Sequence, residues 1–235
     1  MGNMHKDGYG GLQQDNEKAF EWWKKAAAQE FPKAQKTLGD AYLAGDGVKE
    51  DHAKAKEWYE IAAEAGHAEA QHAVGHLHKN GHGVDKNDAR AMEWWERAAA
   101  QDHAESQTIL GDLHATGDGV QRDYKKAKEW WQKAAKNEFA AAKHSLGELY
   151  YYGRDVRQDY KRAFDWHRQA AEQGVAQAQY TVGHMYEHGE GVKQTKTRAL
   201  EWYEKAAEQG HVNAQRSLTA LRKELQASNI RGVYF

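Results

Sequence analysis

Tryptophan returns at a fixed interval along this chain: Trp22, Trp58, Trp94, Trp130, Trp166 and Trp202 are each separated by 36 positions. Alanine keeps the same step at Ala19, Ala55, Ala91, Ala127, Ala163 and Ala199, and glycine keeps it at Gly39, Gly75, Gly111, Gly147 and Gly183. A recurrence of this length marks stacked supersecondary units, none of which can bury its apolar face without a neighbour. The chain therefore reads as one array of similar units, with the tryptophans as expected packing residues.

Each period carries two helical patterns. In the second, Ala55, Trp58, Tyr59, Ala62 and Ala63 fall at i, i+3, i+4, i+7 and i+8, one apolar stripe of an α-helix. Asp15, Asp51, Asn87, Asp123, Asp159 and Thr195 stand where this helix starts, and their short oxygen side chains suit free N–H groups. Gly66, Gly174 and Gly210 stand where it ends. In the first helix, Ala70, Val74 and His78 keep an i, i+4, i+8 register, as do Ala34, Leu38 and Tyr42 one period earlier. Pro32, the sole proline, falls at a first turn, where its missing N–H has no partner to lose. The two helices are joined by Gly-x-Gly-Val at Gly45–Val48, Gly81–Val84, Gly117–Val120 and Gly189–Val192. A phosphate-binding loop needs a preceding strand, which is missing, so these read as structural turns. Gly153-Arg154-Asp155-Val156 lacks the second glycine and is expected to turn differently.

The marks Leu-Gly-x-x-Tyr-x-x-Gly-x-Gly-Val and Asp-x-x-Lys-Ala-x-x-Trp-Tyr-x-x-Ala-Ala stand nearly whole at Leu38 to Ala63 and again at Val182 to Ala207. They resemble the Sel1-like repeat over about Gly8 to Leu221. The resemblance implies an all-α, right-handed α/α superhelical solenoid related to tetratricopeptide arrays, in a family of adaptors and scaffolds whose motif residues pack rather than catalyse. It also implies a bacterial interaction protein, with toxin-neutralising immunity proteins among its relatives and β-lactam binding linked to a few cysteine-rich ones. The expected organisation is a single array over 1–235. It comprises a partial repeat at 1–32, repeats at 33–68, 69–104, 105–140, 141–176 and 177–212, and a capping helix with a tail at 213–235. Thr219 and Arg222 replace the expected Gly and Tyr, and Arg222-Lys223-Glu224 makes the last helix polar. The tail from Ser228 to Phe235 is expected to fold over that cap. Gly2 to Gly8 reads like the end of a first helix, so the chain is expected to be a fragment. Any signal peptide would lie upstream, and the compartment stays open between periplasmic, secreted and cytoplasmic.

Composition narrows function by exclusion. Lys plus Arg is 33 against 35 for Asp plus Glu, without the basic excess that a nucleic-acid binder would show. No apolar run approaches the roughly 20 residues of a membrane span. Cysteine is absent, which removes disulfide scaffolding, thiol catalysis and thiolate metal sites. Ser-x-x-Lys, His-Glu-x-x-His and Gly-x-Ser-x-Gly are also absent, so no catalytic residue, enzymatic activity or cofactor is expected.

If the first helices line a concave surface, its partner-binding candidates follow from the period. They are Lys36, Asp40, Glu69, His72, His76, Glu105, Asp112, His144, Glu148, Tyr151, Tyr180, His184 and Glu187, flanked by Lys33, Thr108 and Gln177. These positions vary between repeats while the packing positions do not. Their acidic, His- and Tyr-rich middle suits a protein or peptide with basic or aromatic anchors, bound by a monomer. The competing readings are a dedicated inhibitor of one bacterial toxin and, more remotely, β-lactam or glycan binding. Among the 14 histidines, His72 and His76 have an i, i+4 spacing that can chelate a metal, with Asp112 approaching from the next repeat; no metal site is expected, and a surface whose binding changes near pH 6 is the stronger reading of the cluster. His78 and His114 occupy the Tyr42 position and read as packing substitutes.

Overall fold

The computed structural model describes residues 15–232 together with Gly2 and Lys6, with side chains described as far as Ala227. Twelve helices follow one another among these residues: α1 (Asn16–Ala27), α2 (Pro32–Ala44), α3 (His52–Glu64), α4 (Ala68–Asn80), α5 (Asp88–Ala99), α6 (Ala104–Thr116), α7 (Tyr124–Lys136), α8 (Ala140–Tyr152), α9 (Tyr160–Glu172), α10 (Ala176–His188), α11 (Lys196–Glu208) and α12 (Val212–Gly232). The fold is an all-helical repeat solenoid in which even-numbered helices are the first, and odd-numbered helices the second, of each pair. Two compact units divide the chain at 1–110 and 111–235. No described helix is long and apolar enough to cross a membrane.

The recurrent tryptophan is not the residue at the centre of the packing. Trp22 keeps 42% of its surface, and Trp58, Trp94, Trp130, Trp166 and Trp202 are half-buried. The buried ring is the next residue: Trp23, Tyr59, Trp95, Trp131, His167 and Tyr203. Each of the last five sits against a first-helix glycine, where a Cβ would meet it at 2.4–2.7 Å: Tyr59 on Gly39, Trp95 on Gly75, Trp131 on Gly111, His167 on Gly147 and Tyr203 on Gly183. Gly2 lies against Trp23 in the same way. Two of the recurrent tryptophans, Trp58 and Trp94, instead pack on the cores of neighbouring helices. Trp58 packs on the core of Ala19, Phe20, Leu38 and Ala41, and Trp94 on that of Ala55, Tyr59, Ala70 and Val74. Outer faces of the recurrent tryptophans carry cations one turn on, with Lys25 over Trp22, Arg97 over Trp94, Lys133 over Trp130 and Lys205 over Trp202 at 4.1–5.0 Å.

Five of the six expected N-caps accept from a backbone N–H: Asp15, Asp51, Asn87, Asp123 and Asp159. Thr195 does not; its hydroxyl donates to Lys193 O instead. The turn at Gly153 is also more regular than expected, because Asp155 takes φ +55°, the left-handed conformation held elsewhere by glycine. Residues 228–232 continue α12 rather than folding back over it, and 233–235 lie outside the described residues.

At the end of the second helix, Glu30 takes φ +59° where later repeats have Gly66 at +87°, Gly174 at +91° and Gly210 at +82°. The left-handed cost to an L-residue is about 1–2 kcal/mol, and glycine returns about 0.4–1 kcal/mol of it through unfolded-chain entropy. Glu30→Gly is therefore expected to stabilise the chain by roughly 0.5–1 kcal/mol, read as a higher urea midpoint at unchanged slope.

Candidate functional site

The first-helix positions singled out by the period are tethered to the buried rings. Tyr59 donates its hydroxyl to Asp40 at 2.8 Å, Trp95 donates Nε1–H to His72 O at 3.2 Å, and Trp131 donates to Asp112 at 2.9 Å. Tyr203 donates to Glu187 at 2.6 Å. Burial first, then the facing carboxylate, pushes the Tyr59 and Tyr203 hydroxyls far above the usual tyrosine range, so both stay protonated donors. Tyr59, Trp131 and Tyr203 thus fill the core and each hold a carboxylate of the first-helix face.

In the unit 1–110, Lys36 bridges Asp40 at 3.0 Å and Glu69 at 3.5 Å. Burial works against its charge, but the two carboxylates outweigh that and hold its pKa above normal. Beside them His72, His76, His103, Glu105 and Ser106 converge. His72 Nδ1 lies 2.9 Å from Ser106 Oγ, His103 Nδ1 lies 3.0 Å from the same oxygen, and His76 Nε2 lies 3.2 Å from His72 Nε2. Glu105 Oε2 stands 3.5 Å from His72 Nε2. Desolvation, then the neighbouring imidazoles, lowers the His72 pKa to about 3, and desolvation also lowers His76 and His103. All three rings are neutral at pH 7.

In the unit 111–235, Asp112, His144, Ser145, Glu148 and Arg154 line a cavity of about 380 Å³ walled by Trp131 and Leu149. Desolvation raises the Asp112 and Glu148 carboxyls, with Arg154 acting against it at Glu148. Neither carboxylate is bridged to a lysine or arginine within 4 Å among the described residues. Behind the cavity, His167 is wholly buried. Its Nδ1 lies 3.2 Å from His144 Nδ1 and its Nε2 lies 3.5 Å from Glu148. Burial lowers its pKa to about 3. Further along, Tyr151 donates to Glu190 at 2.9 Å, His184 Nδ1 sits 3.2 Å from the same carboxylate, and Tyr180 stacks on His211 at 4.8 Å.

Of the expected face, Glu69, Glu105 and Asp112 are open to solvent, while Lys36, Asp40, His72, His76, His144, Glu148, Tyr151, Tyr180, His184 and Glu187 are half-buried. Thr108 does not belong to it: it is 5% exposed and donates to Ala104 O one turn back. His78, at the Tyr42 position, is buried at 5% exposure. The carboxylate beside His72 is Glu105, and Asp112 is committed to Trp131. Sequence reasoning missed His103 and His167, though both had a signal. His103 shares its 36-step column with His67 and His211, whose Nδ1 atoms cap the following helices. His167 occupies the column of Tyr59 and Tyr203. Ser106, Ser145 and Arg154 had none.

Comparison with known proteins agrees with this architecture. The family described as Sel1 repeat matches at residues 1–31, 32–67, 68–103, 104–139, 140–175 and 176–211. A protective antigen of uropathogenic Escherichia coli, described as displaying an SLR fold, is 36% identical over 94% of this chain with a TM-score of 0.84. This chain spans only 47% of that protein. A Sel1 repeat protein from Oxalobacter formigenes is 34% identical, with 94% of this chain and 88% of that one covered and a TM-score of 0.86. An immunity protein of Pseudomonas aeruginosa shares the fold at 19% identity and a TM-score of 0.54, covering 94% of this chain and 81% of its own. A search of curated protein sequences gives no match.

Proposed function

The chain belongs to the Sel1 repeat family, and from that premise we propose that it is a non-enzymatic scaffold whose first-helix face holds a partner protein or peptide. The cavity between Asp112, His144 and Glu148 carries this reading. Glu148 is half-buried and Asp112 exposed, and neither is bridged to a lysine or arginine among the described residues, so an incoming lysine, arginine or hydroxyl donor finds an unbridged carboxylate there. The Trp131 and Leu149 wall accepts the apolar stem of such an anchor or an aromatic ring. Within each unit, neighbouring repeats present different side chains at the equivalent positions, so its first-helix face reads several partner residues at once. The balanced charge favours a protein partner over nucleic acid.

The test is capture from the lysate of the source organism by the wild-type chain and by Glu105→Lys/Asp112→Lys/Glu148→Lys, both checked for equal helicity by circular dichroism. A partner held by the wild type, lost by the variant, and bound at least tenfold more weakly by the purified variant in calorimetry supports the reading. Equal binding by the two chains, or no partner for either, defeats it. One tight partner would mark a dedicated inhibitor, and several moderate ones an adaptor.

A further inference from the structure

The proton arrangement around Ser106 is determined by its own backbone. Ser106 N–H donates to His103 Nδ1 at 3.2 Å, which makes that nitrogen an acceptor. Ser106 Oγ–H can share the same Nδ1 at 3.0 Å, and in that arrangement Oγ accepts from His72 Nδ1–H at 2.9 Å. Ser106 is wholly buried, so this relay has no water to compete with it. The consequence lies at the other end of the His72 ring. With the proton on Nδ1, the Nε2 lone pair points outward toward His76 Nε2 at 3.2 Å and Glu105 Oε2 at 3.5 Å.

The two separations from His72 Nε2 are close to the edge of a metal tetrahedron, and the exposed Glu105 side chain, which also reaches the His72 and His103 rings, has to turn toward His76 to close the third. Bonds of about 2.0–2.1 Å to imidazole nitrogen and carboxylate oxygen place neighbouring ligands about 3.3–3.4 Å apart. We propose that His72 Nε2, His76 Nε2 and Glu105 Oε2 bind one borderline d-block dication, Zn²⁺ by preference, leaving a fourth position for water. The donor set is two imidazoles and one carboxylate, which favours Zn²⁺ over the oxygen-seeking Ca²⁺ and Mg²⁺. The His72–Ser106–His103 relay is the outer hydrogen bonding that fixes a ligating imidazole in its productive tautomer. In the metal-free chain His76 Nε2–H donates to His72 Nε2; the ion takes that place, and the proton moves to Nδ1 of the same ring.

The site joins α4 to α6, so occupancy ties together the first helices of adjacent repeats. It does not depend on the partner-binding reading and is tested without a partner. The cluster His144, Glu148 and His167 is a weaker candidate, because different nitrogens of His167 face its two neighbours.

The experiment titrates Zn²⁺ alone into the chelator-stripped, tag-free full chain by calorimetry, beside Glu105→Gln, His76→Gln and Glu148→Gln. The expected result is one equivalent bound by the wild type and by Glu148→Gln. Affinity should fall at least about tenfold in Glu105→Gln and further in His76→Gln. Free Zn²⁺ at 100 times its Kd should shift the wild-type folding equilibrium about 100-fold toward the native state. Substitution by Co²⁺ should give the intense visible bands of a four-coordinate site. Absence of stoichiometric binding, equal affinity in Glu105→Gln and His76→Gln, or loss of binding in Glu148→Gln overturns the proposal. Glu105 is exposed and its substitution leaves the fold intact, so a misfolded His76→Gln chain would not obscure the result.

Discussion

Replacing Gly191 by alanine is expected to destabilise the chain by about 3 kcal/mol or more. Two costs add. The residue sits at φ +69°, and its new Cβ would lie 2.1 Å from Tyr160 O, a backbone oxygen at the start of α9 that cannot swing away. The left-handed conformation costs alanine about 1–2 kcal/mol, and forced overpacking adds about 1–3 kcal/mol. The other glycines separate the terms. Gly47 has the same geometry against Asn16 O at 2.0 Å and should lose as much. Gly83 stands 3.4 Å from His52 O, and Gly66 has nothing within 4 Å. Gly83→Ala should therefore cost less than Gly191→Ala, and Gly66→Ala only the conformational part, about 1–2 kcal/mol. Urea unfolding of the four variants checks the order; a Gly191→Ala loss equal to that of Gly66→Ala would show that the loop does not press on the preceding pair. The second glycine of the loop is thus a stacking contact at Gly47 and Gly191, and a looser one at Gly83.

Acidification from pH 7 to pH 5 should destabilise the chain by several kcal/mol in the absence of metal. His72 and His167 each have a folded pKa lowered to about 3 from 6.5. Between those values the unfolded chain binds a proton and the folded chain does not, so stability rises with pH across the window and is lost as pH falls below 6.5. Each group contributes up to about 1.4 kcal/mol per pH unit. The raised Asp112 and Glu148 carboxyls act with opposite sign, since the folded chain takes up their protons first, and offset part of the loss. His167→Tyr isolates one histidine, because Tyr59 and Tyr203 fill the same column and donate to a first-helix carboxylate. Its urea-derived stability should vary with pH less steeply than that of the wild type, by up to about 1.4 kcal/mol per unit. An unchanged slope would mean that His167 is protonated in the folded chain.

Much of the architecture was legible because it depends on short-range rules. Asp51 caps α3 because a β-region aspartate four residues before the apolar stripe that begins at Ala55 has the free N–H of Lys54 within reach, a relation local to one turn. The phase of the buried face was less legible. Trp58 and Tyr59 are 100° apart on one helix, and an apolar stripe wider than that cannot say which of them points inward. The period drew attention to the constant tryptophan, yet the tight place opposite Gly39 is filled by its variable neighbour. The candidate site was half legible for the same reason. His72 and His76 share a helix, so their i, i+4 relation is a property of the sequence. Glu105 joins them only through the stacking of one repeat on the next.

The sequence by itself determined a good deal: its 36-residue recurrence marked an array of stacked units, its cap residues marked where helices start and stop, its resemblance to the Sel1-like repeat implied an all-helical solenoid, and its composition removed cysteine chemistry. Only the tertiary structure decided which ring enters the core, that Thr195 turns its hydroxyl away from its helix, and which carboxylate and imidazole converge on His72. Those outcomes depend on distances between repeats, which are set by how side chains of different size pack across the stack, and one-dimensional spacing holds no record of that.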